Sequence, residues 1–75
     1  MADARLVSGD EVIRALERLG FHRAVQRGIH VVMERKTTAV QRRCVVPLQE
    51  GVPAKALMGI LRQADVTEDE FYRHL

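Results

Sequence analysis

Residues 26–35, QRGIHVVMER, decide how this chain folds. Arg27-Gly28 reads as a tight turn, because Gly28 accepts the positive φ that such turns need. Ile29 to Arg35 is rich in β-branched residues and reads as a strand. Side chains alternate along a strand, so His30, Val32 and Glu34 share one face, while Ile29, Val31, Met33 and Arg35 share the other. The second set is the more apolar and is expected to face the core, which turns His30 away from it. His30 is then either a polar strand-end residue or an acid–base group presented to a polyanion.

Working outward, residues 21–26 alternate weakly, with Phe21, Arg23 and Val25 on one side and His22, Ala24 and Gln26 on the other. Lys36-Thr37-Thr38 is a polar connection, and a third strand runs from Gln41 to about Val46, stopping at Pro47. Three strands with short links predict an antiparallel meander with one face resting on helices. Ser8-Gly9-Asp10-Glu11 is a capping box, with Val7 and Val12 placed to staple it. Val12, Leu16 and Leu19, flanked by Ile13 and Ala15, form an apolar stripe at helical spacing. Gly20 is the expected left-handed stop, with Phe21 folding back. After a loop at residues 49–53, Pro53 suits the first turn of a second helix. Its stripe is Leu57, Ile60, Leu61 and Ala64, with Met58 at the edge. Thr67-Glu68-Asp69-Glu70 is a second capping box, stapled by Val66 and Phe71, and predicts a short terminal helix.

The expected class is therefore α+β, in the order α-β-β-β-α with a three-stranded antiparallel sheet. Both helices lie on one face, and a short C-terminal helical extension follows. Double-stranded-RNA-binding domains share this order and recognise RNA by shape and phosphate contacts. Seventy-five residues, 47% of them hydrophobic and 29% charged, suit one folded domain over 1–75. Cys44 is the only cysteine, which excludes an internal disulfide and fits a reducing, cytoplasmic setting. No basic stretch followed by an apolar run opens the sequence, and no uncharged run approaches membrane-spanning length, so a soluble intracellular domain is expected.

The net charge of +2 is unevenly spread. Between residues 21 and 47, Arg23, Arg27, Arg35, Lys36, Arg42 and Arg43 face a single acid, Glu34, while both flanking segments are net acidic. Such a basic segment attracts phosphate-bearing partners, or it is a solvated sheet face. Three scattered histidines and one cysteine form no metal-ligand pattern, so neither a metal nor a cofactor is expected. Cys44 lies in an apolar strand with no base beside it, and it reads as a core residue. Met33 and Met58 read as packing, and His22 and His74 as exposed. Phe21, Phe71 and Tyr72 are the only aromatics, so phosphate and ribose contacts are expected over base stacking.

Three stretches together resemble the HicA-type (YcfA-like) toxins of bacterial toxin–antitoxin pairs. SGDEVIRALERLGF (8–21) is similar to the family's opening helix, and QRGIH (26–30) to the motif that holds its catalytic histidine. VVPL and ILRQADVTEDEF, between Val45 and Phe71, resemble its last strand, second helix and acidic tail. The resemblance implies a double-stranded-RNA-binding-domain-like fold, metal-independent endoribonuclease activity on mRNA, and a HicB-type antitoxin partner. It implies that His30 is catalytic, with Gly28 the motif glycine beside it. Ile29 stands where the family commonly has serine, Val31 where many members have a second histidine, Leu48 where members often have histidine, and Asp65 where glycine is usual. Lys55-Ala56 replaces a common Gly-Thr.

RNA carries its own nucleophile, the 2′-OH, so one imidazole with a pKa of about 6.5 can move the required proton. Arginine can stabilise the phosphorane without a metal. Arg27, next to the motif, is the first candidate for phosphate contact, followed by Arg42 or Arg43, since successive strand residues face opposite ways. The alternatives are a non-catalytic RNA-binding module of the same fold, and a protein-interaction domain whose sheet is covered by a partner.

Overall fold

The structure, a computed structural model, describes residues 6–75. The elements run α1 (Gly9–Arg18), β1 (His22–Arg27), β2 (His30–Lys36), β3 (Gln41–Pro47), α2 (Ala54–Ala64) and α3 (Glu68–Arg73). The strands form one antiparallel sheet in the order β1-β2-β3. This is the expected α+β layout of the double-stranded-RNA-binding-domain type.

Local chemistry sets the helix ends. The Ser8 hydroxyl accepts from the Glu11 amide at 3.1 Å, and the Glu11 carboxylate accepts from the Ser8 amide at 2.8 Å. Together they satisfy two donors that the helix cannot. At the other end of α1, Gly20 takes φ +98°, and the Phe21 and Gly20 amides donate to the carbonyls of Leu16 and Glu17. That is the paired closure of a left-handed stop. Thr67 and Glu70 repeat the capping box at α3. Pro53 differs from expectation: its ψ of 149° makes it the residue before α2 and not part of the first turn.

Alternation in β2 divides the molecule. Val31 and Met33, with Cys44 and Val46 of β3, pack against Val12, Ile13 and Leu16 of α1 and Leu57, Ile60 and Leu61 of α2. Phe71 anchors α3 in the same core. Strand β1 departs from simple alternation. His22 pairs with Glu34 and Arg23 with Met33, but Val25 pairs with Val32, so the register slips between Arg23 and Val25. This β-bulge leaves Ala24 as the extra residue and turns Val25 to the outer face, correcting its expected place beside Phe21.

The tightest junction lies where α1 meets the end of β3. The Gly9 amide donates to the Gln49 carbonyl at 2.8 Å, and the Val52 amide donates to the Val7 carbonyl at 2.7 Å. A Cβ on Gly9 would fall 1.9 Å from the Pro47 carbonyl oxygen, backbone against backbone. Gly59, inside α2, has nothing within 4 Å of the same position. Gly9→Ala is therefore expected to destabilise the fold by about 1–3 kcal/mol through overpacking. Gly59→Ala should stabilise it by about 0.5–1 kcal/mol through helix propensity. Chemical denaturation of the two variants measures both signs.

Candidate active site

Residues paired across strands share a face, so the register lays out the solvent-facing side of the sheet in rows. The first row holds Arg27, His30 and Pro47, and the second Val25, Val32 and Val45. The third holds His22, Glu34 and Arg43. Adjacent rows are roughly 6–7 Å apart along the strands. This face is open and carries an apolar band, with Val25 43% and Val45 41% exposed, between two polar rows.

His30 is exposed at the start of β2, immediately after the two-residue turn Gly28-Ile29. Gly28 has φ +60° and open space around it, so the turn's backbone shape, and no crowding, calls for glycine. Two bonds hold the turn. The Gln26 side-chain amide donates to the Gly28 carbonyl at 3.0 Å, and the Leu48 amide donates to the Ile29 carbonyl at 2.6 Å. Since Gln49 is tied to Gly9, the backbone bearing His30 is referenced to the α1 terminus. Ile29 points into solvent, 53% exposed.

Arg27 is the direct cross-strand partner of His30 and is exposed. Arg43 lies on the same face two rows away, and its charge is engaged: its Nε donates to Glu34 Oε2 at 2.8 Å and its Nη2 donates to the same oxygen. His22 Nε2 stands 4.0 Å from the other oxygen, Glu34 Oε1. Arg42 is not on this face. It pairs with Arg35 in the register, so it points to the helix side, where its Nη2 lies 3.3 Å from Asp65 Oδ2. The structure thus brings Arg27, Gly28 and His30 together, sets Arg43 apart, and places Arg42 across the sheet.

Glu34 is the one buried charged residue among those described, at 8% exposure. The Arg43 hydrogen bond, and after it the nearby positive charges, hold its carboxyl below the ordinary value of 4.5 against the opposing effect of desolvation. Cys44 is a core residue, and burial pushes its thiol up to about 11, which removes it as a nucleophile at neutral pH. Among the described residues, no three His, Cys, Asp or Glu side chains converge to hold a metal ion. No helix among them is long and apolar enough to cross a membrane. A cleft of about 470 Å³ lies beyond Leu48, but Asp10 and Glu50 line it with Ser8 and Gln49, which disfavours a polyanion there. Sequence reasoning missed the apolar row and the Gln26 brace. Glu34 was visible as the lone acid of the basic segment, but its partners were not.

The family model for the HicA toxin of bacterial toxin-antitoxin matches residues 9–66. That span runs from the first residue of α1 past the end of α2 and includes all three strands. No curated protein matches the sequence.

A carboxyl whose folded pKa is lowered stabilises the fold above its unfolded pKa, and that contribution is lost as pH falls through the folded value. Glu34 therefore stabilises the fold above about 4.5, and the contribution disappears at lower pH. Glu34→Gln should flatten the decline of stability below pH 4.5, as read by urea midpoints across pH. An unchanged acid limb would place the dependence on other carboxylates.

Proposed function

This chain belongs to the HicA toxin family of bacterial toxin–antitoxin systems, and on that premise we propose that it is an endoribonuclease cutting mRNA on the sheet face that carries His30. The observation that carries this reading is the direct pairing of Arg27 with His30 at an exposed hairpin end. Arg23, Arg42 and Arg43 each have a carboxylate partner, whereas Arg27 forms no ion pair among the described residues. An unneutralised guanidinium beside an imidazole is a minimal set for phosphodiester cleavage.

The RNA 2′-oxygen attacks the adjacent phosphorus as its proton leaves, and the bond to the 5′-oxygen breaks as that oxygen gains a proton. His30 performs one of these transfers. Arg27 holds a non-bridging phosphate oxygen and offsets the charge that builds on the phosphorane. The products are a 2′,3′-cyclic phosphate and a free 5′-hydroxyl. Val25, Val32 and Val45 offer ribose and base an apolar surface next to the reacting phosphate. Arg43, with its charge shared with Glu34, contributes to backbone binding further along the strand. An open face suits a polymer better than a cleft would. The partner that silences this activity is a HicB-type antitoxin covering the same face.

Cleavage of an mRNA by the purified protein should fall about 10²–10⁴-fold in His30→Ala, the usual worth of one acid–base group, with RNA affinity kept. Arg27→Glu should weaken binding and reduce the salt dependence of log K by about one phosphate contact. Cleavage that survives His30→Ala would move the chemistry to another residue. RNA binding without cleavage in the native chain would leave the binding-module reading.

A further inference from the structure

The helix-facing side of the sheet carries a second basic arrangement, away from His30, at the end where β2 passes into β3. Arg35 and Arg42 are direct cross-strand partners there. Like charges so placed repel, and each guanidinium calls for an anion. Arg42 has one, Asp65, at 3.3 Å through a single contact. Arg35 has none in hydrogen-bonding contact. Its guanidinium lies over the Phe21 ring, with Cζ 5.1 Å from the centroid, and its Nη1 donates to the Leu19 carbonyl at 3.3 Å. Its Nε is buried without an acceptor, and its Nη2 makes no hydrogen bond among the described residues. Glu70 feels the Arg35 charge but gives its oxygen to Thr67, capping α3.

With Nε buried and Nη1 given to Leu19, Nη2 is the donor that Arg35 has left for an external oxygen. Arg35, Thr37, Val40, Arg42 and Asp65 together line a notch of about 170 Å³. Its wall is fixed, since the Thr37 hydroxyl accepts from the Val40 amide at 3.0 Å and donates to the Val40 carbonyl at 3.1 Å. Asp65 stands at the end of α2 with φ 57°, the only non-glycine residue with positive φ among those described. A single water needs only about 10–15 Å³ of such space, so the notch has room for an oxyanion with solvent beside it.

We propose that this notch binds a phosphate group between the Arg35 Nη2 and the Arg42 guanidinium, with Asp65 restraining the affinity. A carboxylate has two oxygens on one edge, whereas the two guanidinium groups come from different strands. A phosphate has further oxygens for Arg42, which Asp65 engages only loosely. The site lies on the opposite face from His30, and its existence does not depend on what His30 does.

The test is a titration of the full chain with sodium phosphate at constant ionic strength, following the arginine Nε–Hε resonances by ¹H–¹⁵N correlation spectroscopy. The Arg35 resonance should move saturably. Arg42→Gln should weaken the midpoint about tenfold, in line with the loss of one charged hydrogen bond. Asp65→Asn should tighten it, and His30→Ala should leave it unchanged. A 2′-deoxy oligonucleotide that moves the same resonance identifies nucleic acid as the phosphate source, whereas a response to inorganic phosphate alone identifies a small anion; either supports the site. An Arg35 resonance that does not saturate overturns the proposal. So does an equal response to acetate, which would mark the notch as a docking point for a protein carboxylate. The wild-type titration decides the matter even if Arg42→Gln folds poorly.

Discussion

The two-residue period of β2 is the constraint on which the rest depends. It is the central strand, bonded on both sides, and it has a single way to face. A slip of one residue would send Val31 and Met33 to the outer face and turn His30 and Glu34 toward the helices. The register is pinned at the hairpin end by Gly28 in its left-handed conformation and by the Leu48 amide on the Ile29 carbonyl. The contact of Gly9 with Pro47 then ties the sheet to α1. Core and candidate site are thus two outcomes of one choice, because packing the inner residues of β2 is what presents the outer ones.

What could be read from the sequence follows from how local the deciding interaction is. The capping boxes at Ser8 and Thr67 and the stop at Gly20 involve residues a few positions apart, and they were legible with their partners. The inward face of β2 was legible because burial writes an apolar pattern. Strand β1 is exposed throughout, so it has no such pattern, and nothing marked the bulge that turns Val25 outward. Arg42 and Arg43 are neighbours with opposite orientations. Which one joins His30 is decided by pairing with β2, a long-range fact that no short window contains. His30 itself was singled out by the QRGIH motif and not by its surroundings, since an exposed ring at a strand start is unremarkable physically.

The basic central segment is less uniform in space than in sequence. Its arginines are used in different ways: Arg23 near Glu17 at 3.5 Å, Arg35 over Phe21, Arg42 near Asp65, Arg43 on Glu34. Each arrangement ties a strand to something beside it. Positive charge here serves architecture as well as attraction, and counting residues overstates the field at the outer face. The hydrogen bonds from Arg43 also explain how Glu34 stays ionised on a sheet surface that largely excludes water from it.

The bulge in β1 also bears on how the protein avoids itself. A three-stranded sheet leaves β1 with one edge unpaired, and an unpaired edge is a template for adding strands from other molecules. Here that edge is broken at Ala24 and carries Arg23 and Arg27, and an antiparallel pairing of two copies centred on Val25 would set Arg23 of one opposite Arg27 of the other. Irregular spacing and like charge both oppose edge-to-edge aggregation, so the strand that brings Arg27 to His30 also keeps the protein from polymerising through its sheet.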